Sequence, residues 1–163
     1  MRKGLTILAI VMLVVTIAAA GAMLYGIRTL TPQVVDVTAA VVPAAQQKAA
    51  YDAIRTQLDE GLFGGRLFSQ EIPDAEDASF VSYNVRLKNR GFFPAEWISL
   101  RVAPLEGDVL QLENGGANVL LSGSQGDMNV TLLTTLNPAR QARTITIECY
   151  VFGRKQTVSI QAQ

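Results

Sequence analysis

The spacing of hydrophobic and polar positions changes twice along the chain, and each change predicts a different element. From Leu5 to Ile27 there is no alternation: 23 residues pass without a charge, interrupted only by Thr6, Thr16, Gly21 and Gly26. At about 1.5 Å per residue such a run makes a helix of roughly 35 Å, which crosses a hydrocarbon core of about 30 Å with slight tilt. Tyr25 sits near one end, as an interfacial aromatic does. Arg2 and Lys3 precede the run and only Arg28 follows closely, so the positive-inside rule puts the N-terminus in the cytoplasm and the rest of the chain outside. Within the run Ala18, Ala22 and Gly26 recur every four residues, which gives a helix face where a second helix can approach.

Beyond Thr31-Pro32 the segment 33–42 mixes valines with small residues and reads equally as an extended stalk or a first strand. From Pro43 to Glu60 the pattern becomes helical: proline suits a first turn, Tyr51, Ile54 and Leu58 share a face, and Gly61 suits the C-terminal cap. Lys48 with Asp52, and Arg55 with Asp59, are spaced to pair one turn apart on the solvent side. Glu71, Asp74, Glu76 and Asp77 surround Pro73 without the spacing of a calcium loop, so this stretch reads as a solvated linker.

From Phe80 the period becomes two. Val81, Tyr83, Val85 and Leu87 alternate with Ser82, Asn84, Arg86 and Lys88, and after the turn Asn89-Arg90-Gly91 the residues Ile98, Leu100 and Val102 alternate with Trp97, Ser99 and Arg101. Further short strands are expected at 109–112, 118–121 and from Met128, separated by Asn114-Gly115-Gly116 and the loop 122–127, with Asn137-Pro138 as the next break. Ile145, Ile147, Cys149 and Val151, a turn at Gly153-Arg154-Lys155, and Val158 and Ile160 complete a hairpin. Six or seven short strands in this span predict a mainly β chain, an antiparallel β-sandwich. The expected organisation is a transmembrane anchor at 1–28, a stalk at 29–79 with a short helix at about 43–60, and a sandwich at 80–163.

The segment Y-N-V-R-L-K-N-R-G-F-F-P-A-E-W-I-S-L-R-V, Tyr83 to Val102, resembles the early strands of immunoglobulin-like modules of the CARDB and fibronectin III kind. That resemblance implies an immunoglobulin-like sandwich used for extracytoplasmic binding or spacing, and it carries no catalytic motif. Lys3-Gly4-Leu5-Thr6-Ile7-Leu8 resembles the start of type IV prepilins, which are cut after such a glycine and assemble through the apolar helix; the chain departs from them at Ala9, where the family carries glutamate. Ala20-Gly21-Ala22 also fits a signal-peptidase site, so a secreted soluble sandwich is a further alternative to an uncleaved anchor.

Composition narrows the chemistry. Fourteen basic and fourteen acidic side chains balance, and only 17% of residues are charged, so net charge does not draw the chain to nucleic acid. There is no histidine and one cysteine, which removes the commonest general base, the usual zinc ligand sets and any internal disulfide. Lys3, Lys48, Lys88 and Lys155 fall in no S-x-x-K arrangement, and Glu96 and Glu106 show no sign of convergence. No catalytic, cofactor or metal residues are therefore expected, and Cys149 reads as a small core residue. Phe92, Phe93 and Trp97 are the candidate contacts for a partner, although a helix packed over the Trp97 face would bury that side chain instead. The expected function is binding or envelope assembly by a single-pass membrane protein, with the bilayer and a protein partner or second copy as its associates.

Overall fold

The computed structural model describes residues 2–28, 31–113, 115–135 and 141–162. Asn114 and the expected Asn137-Pro138 break lie outside the described residues, as do the side chains of Arg2, Lys3 and Arg28 that carry the orientation argument.

The apolar run forms one helix, α1 (Arg2–Arg28), whose stretch Thr6–Gly26 has a mean hydropathy of 2.7 and none of it buried by protein. It is long and apolar enough to span a membrane. Among the described residues nine strands follow: β1 (Gln33–Pro43), β2 (Arg66–Leu67), β3 (Ala78–Lys88), β4 (Ala95–Val102), β5 (Asp108–Gln111), β6 (Gly115–Gly116), β7 (Gln125–Thr135), β8 (Arg143–Val151) and β9 (Arg154–Ala162). They pair antiparallel in two sheets, β1-β3-β7-β5-β2 with β6 also on β7, and β4-β8-β9. With β1, β3, β4, β5, β7, β8 and β9 taken as strands A, B, C, D, E, F and G, this is the A-B-E-D and C-F-G order of a constant-type immunoglobulin sandwich.

The alternation read from the sequence places the core. Val81, Tyr83, Val85 and Leu87 of β3 and Met128, Val130 and Leu132 of β7 meet Ile98, Leu100 and Val102 of β4 and Ile145, Ile147, Cys149 and Val151 of β8, all buried. Each large aliphatic side chain buried in this way contributes about 1.5–3 kcal/mol relative to exposure. Cys149 lies in this core, and burial pushes its thiol up to about 11.

The segment expected as a stalk belongs to the sandwich. β1 pairs with β3 from Gln33 opposite Lys88 to Pro43 opposite Ser79, so no boundary falls at residue 80. The expected helix at 43–60 is a 3-10 turn (Ala44–Gln47) followed by α2 (Lys48–Asp59), and Gly61 takes the positive φ of 70° that its capping role needs. α2 is docked on the outer face of the larger sheet, where Tyr51 and Ile54 pack with Ala78, Phe80, Leu110 and Leu133, and the Tyr51 hydroxyl donates to the Pro73 carbonyl. Neither expected ion pair closes on α2, and Arg55 lies over the Tyr51 ring instead. The expected strand at 118–121 is reduced to a single bridge, Leu120 with Ala95.

Polar groups join the two sheets from inside. Arg143 of β8 and Asp108 of β5 form a bidentate ion pair in which neither side chain has solvent exposure; its Nη2–Oδ1 bond measures 2.8 Å. Gln111 of β5 reaches across to β4, its Nε2 donating to the Leu100 carbonyl and its Oε1 accepting from the Val102 amide, both at 3.0 Å. That amide side chain does for β4 what a neighbouring strand does, and with the Leu120 bridge it covers an edge otherwise open to pairing.

Candidate functional site

The strand order brings the start of β1, the β3–β4 loop, the loop before β7 and the β8–β9 turn to one end of the sandwich, the end at which α1 enters. Asn89 organises that end. Its buried side chain donates to the carbonyls of Phe93 (2.8 Å) and Leu120 (3.0 Å) and accepts from the Gly91 amide (2.9 Å). Ser122 Oγ donates to the Gly91 carbonyl at 2.7 Å, and the Gly123 amide to the Asn89 carbonyl at 2.8 Å, so the two loops are held together. This polar scaffold holds Phe92 and Phe93 facing outward, and Phe92 is 69% exposed.

The β8–β9 turn adds a third phenylalanine. Val151 pairs with Arg154 across the two-residue loop Phe152-Gly153, and both central residues have positive φ, 49° and 71°. A hairpin turn of this kind prefers Asn-Gly, because asparagine tolerates the left-handed region and a bulky residue does not. Phe152 occupies it while 77% exposed, and its ring lies 4.9 Å from that of Phe93. The Tyr25 ring of α1 is 6.0 Å from Phe92. Between these loops and α1 lies an open, largely apolar cleft of about 510 Å³, lined by Ala22, Met23, Gly26, Phe92, Phe93, Phe152 and Arg154. Two of the residues expected to associate with a second helix, Ala22 and Gly26, thus line a cleft shared with the chain's own sandwich, whereas Ala18 does not.

Trp97 lies nearby on the smaller sheet. The expectation that a helix buries it is wrong: α2 packs on the other sheet, and Trp97 is 74% exposed. A bulge between Glu96 and Ser99 turns both Glu96 and Trp97 outward and leaves Ala95 and Ile98 in the core, with Trp97 at a φ of 52°. The Ile98 amide donates to the Asn118 carbonyl at 3.0 Å, fixing the bulge. Trp97 and Phe152 are the only non-glycine residues with positive φ among those described, and both are exposed aromatics. Each such conformation costs on the order of 1–3 kcal/mol, and backbone strain of this kind clusters at functional sites. Glu96, Trp97, Tyr150 and Gly153 line a shallow depression beside the aromatic end. On β8 the Glu148 carboxylate accepts from Lys155 Nζ at 2.8 Å and lies 3.2 Å from the Arg101 guanidinium, and these cations hold its carboxyl below its ordinary value.

Phe92, Phe93 and Trp97 are legible in the sequence as aromatics near a turn, but their exposure is not; Phe152, directly before the turn glycine Gly153, is the residue that sequence reasoning misses. Among the described residues no group of three acidic or cysteine side chains is set to hold a metal. No family model matches the chain, and no curated protein matches its sequence. Among solved structures it is similar to the yeast GGA1 GAE domain-P21 crystal structure, at 14% identity and a TM-score of 0.39, over 60% of this chain and 85% of that one. The strand order, not this likeness, establishes the sandwich.

Proposed function

We propose that the chain is a single-pass membrane protein that displays its sandwich outside the cell and acts by binding, in recognition or envelope assembly, with no catalytic step of its own. The observation that carries this reading is Trp97, an exposed aromatic held in a strained backbone at a bulge, beside Tyr150 and a rigid loop. Tryptophan and tyrosine dominate binding hot spots because they bury a large area at little entropic cost. The resemblance of Tyr83–Val102 to CARDB and fibronectin III modules agrees with such a role, and the apolar stretch of α1, with Arg2 and Lys3 ahead of it, supports the anchor and its orientation.

The test is site-specific photocrosslinking in membranes of the native host, with a benzophenone side chain at Tyr150 or, on the opposite sheet, at Asn84. A discrete adduct from position 150 that is absent at 84 and lost in Trp97→Ala is the expected result. Adducts that are the same at both positions, or unaffected by Trp97→Ala, reject this surface. Extraction of the intact chain by alkaline washing, or protection of the sandwich from protease added to spheroplasts, rejects the anchored, outward arrangement.

A further inference from the structure

We propose that the aromatic end of the sandwich enters the bilayer interface: Phe92, Phe93, Phe152 and Leu121 insert among the headgroups and upper acyl chains of the leaflet from which α1 emerges, and Arg90 and Arg154 pair with anionic headgroups around them. The inference rests on reading α1 as a membrane span. Three independent observations carry it.

The first is depth. The cleft that Phe92, Phe93 and Phe152 line is completed by Ala22, Met23 and Gly26, all inside the apolar stretch Thr6–Gly26. Ala22 to Gly26 is about 6 Å of helix axis, so the loops lie beside the outer end of the span at the roughly 5–10 Å depth of an interfacially bound apolar face. A span placed across the bilayer brings these rings to the level where interfacial aromatics concentrate, and Tyr25 beside Phe92 belongs to the same belt.

The second is charge. The loops of this end, 88–95, 121–126 and 151–155, carry Lys88, Arg90, Arg154 and Lys155; Glu96 lies at their margin beside Phe93 and Phe152, and Lys155 is engaged by Glu148, which leaves Lys88, Arg90 and Arg154 in excess over Glu96. Toward the opposite end the described segments 68–77 and 103–107 hold Glu71, Asp74, Glu76, Asp77 and Glu106 and no lysine or arginine. A chain with no net charge is thus polarised along the long axis of its sandwich, basic toward α1 and acidic away from it. Anionic lipid attracts lysine and arginine held within about a Debye length of its surface, which favours the basic end facing it.

The third is construction. Phe152 sits where an asparagine is preferred, and Phe92 and Phe93 project from loops tied together through Asn89 and Ser122. Leu121, exposed beside that Ser122 tie, completes the apolar tip. A rigid loop that aims bulky apolar groups into water is costly in an aqueous setting and serves a purpose in lipid.

The experiment uses the full chain in nanodiscs of phosphatidylcholine, with or without phosphatidylglycerol. In a Cys149→Ala background, Leu121→Cys or Glu106→Cys carries an environment-sensitive fluorophore, and the lipids carry a quencher high on the acyl chain. The expected result is a blue-shifted probe at 121, quenched roughly threefold more than at 106, more strongly with phosphatidylglycerol present, and released when Phe92 and Phe152 are both changed to serine. A water-like, unquenched probe at 121 in a chain that stays in the disc overturns the proposal while leaving the span intact. Equal quenching at 121 and 106 also overturns it, because the sandwich then lies flat. A chain that fails to enter the disc instead refutes the reading of α1 as a span. Quenching at 121 without lipid quencher but with a second labelled copy assigns the aromatic end to self-association and rejects the lipid role.

Discussion

Removing one member of the Arg143–Asp108 pair is the sharpest test of how the two sheets are joined. Asp108→Leu leaves the Arg143 guanidinium without its bidentate partner in a site with no solvent exposure. A buried charge deprived of its counter-charge typically costs 3–5 kcal/mol, because the surviving ion keeps its desolvation penalty and loses the attraction that offset it. Tyr83 gives an internal reporter of the same environment. Burial raises its phenol, and the Arg143 charge and hydrogen bond oppose that rise, so losing Asp108 makes Arg143 the dominant neighbour and lowers the tyrosine. Domain stabilities are about 5–15 kcal/mol, so the single variant is close to unfolding, with a midpoint lower by roughly 10–20 °C. The double variant Asp108→Leu/Arg143→Met removes both charges and recovers most of the loss, since apolar replacement of an entire buried pair is often neutral. Thermal denaturation of the full chain in detergent, followed by near-ultraviolet circular dichroism, measures all corners of this cycle. A loss under about 1 kcal/mol for Asp108→Leu, or simple additivity in the double variant, refutes the reasoning.

Other outcomes follow from the same structure. Cys149 resists thiol reagents until the sandwich unfolds, and its thiol is raised from an ordinary 9.0 to about 11, so it stabilises the fold below pH 9 and loses that contribution as pH rises through 11. The displacement corresponds to about 2–3 kcal/mol, and Cys149→Val should flatten this part of an alkaline stability profile. Phe152→Asn relieves the strained turn and raises the unfolding midpoint by the equivalent of roughly 1 kcal/mol, measured by denaturant melts; a fall instead removes the strain argument. Gln111→Leu strips the Leu100 carbonyl and Val102 amide of their partner and costs about 2–4 kcal/mol, with hydrogen exchange at Val102 as the local readout.

The sequence was most readable where a strand is paired on both sides and alternates, as β8 does throughout and β3 and β7 do over 81–87 and 128–132. It was least readable at bulges. In β1 the register shifts between Val34 and Asp36, so Val34 and Val37 both pack on the core at a spacing of three, and no period of two survives to mark a strand. The same device in β4 sets Ala95 and Ile98 inward together and turns Trp97 out. The amphipathic pattern of α2 announced a helix with one apolar face but not which sheet it covers. Asp108 with Arg143, and Gln111 with β4, join residues brought together only by the closing of the sandwich, and neither leaves a spacing to read.

The way β1 follows α1 sets how the molecule carries load. Its first residue, Gln33, stands at the α1 end of the sandwich and the strand runs directly away from it along β3. Antiparallel ladder bonds lie perpendicular to the strands, so tension between the helix and anything held on the far part of the sandwich slides β1 lengthwise and strains every bond of the ladder together. Rupture then requires many bonds to fail at once, where peeling a strand from its end would break them in turn. A strand that joins the sheet within a few residues of α1 thus makes the attachment a tether resistant to pulling.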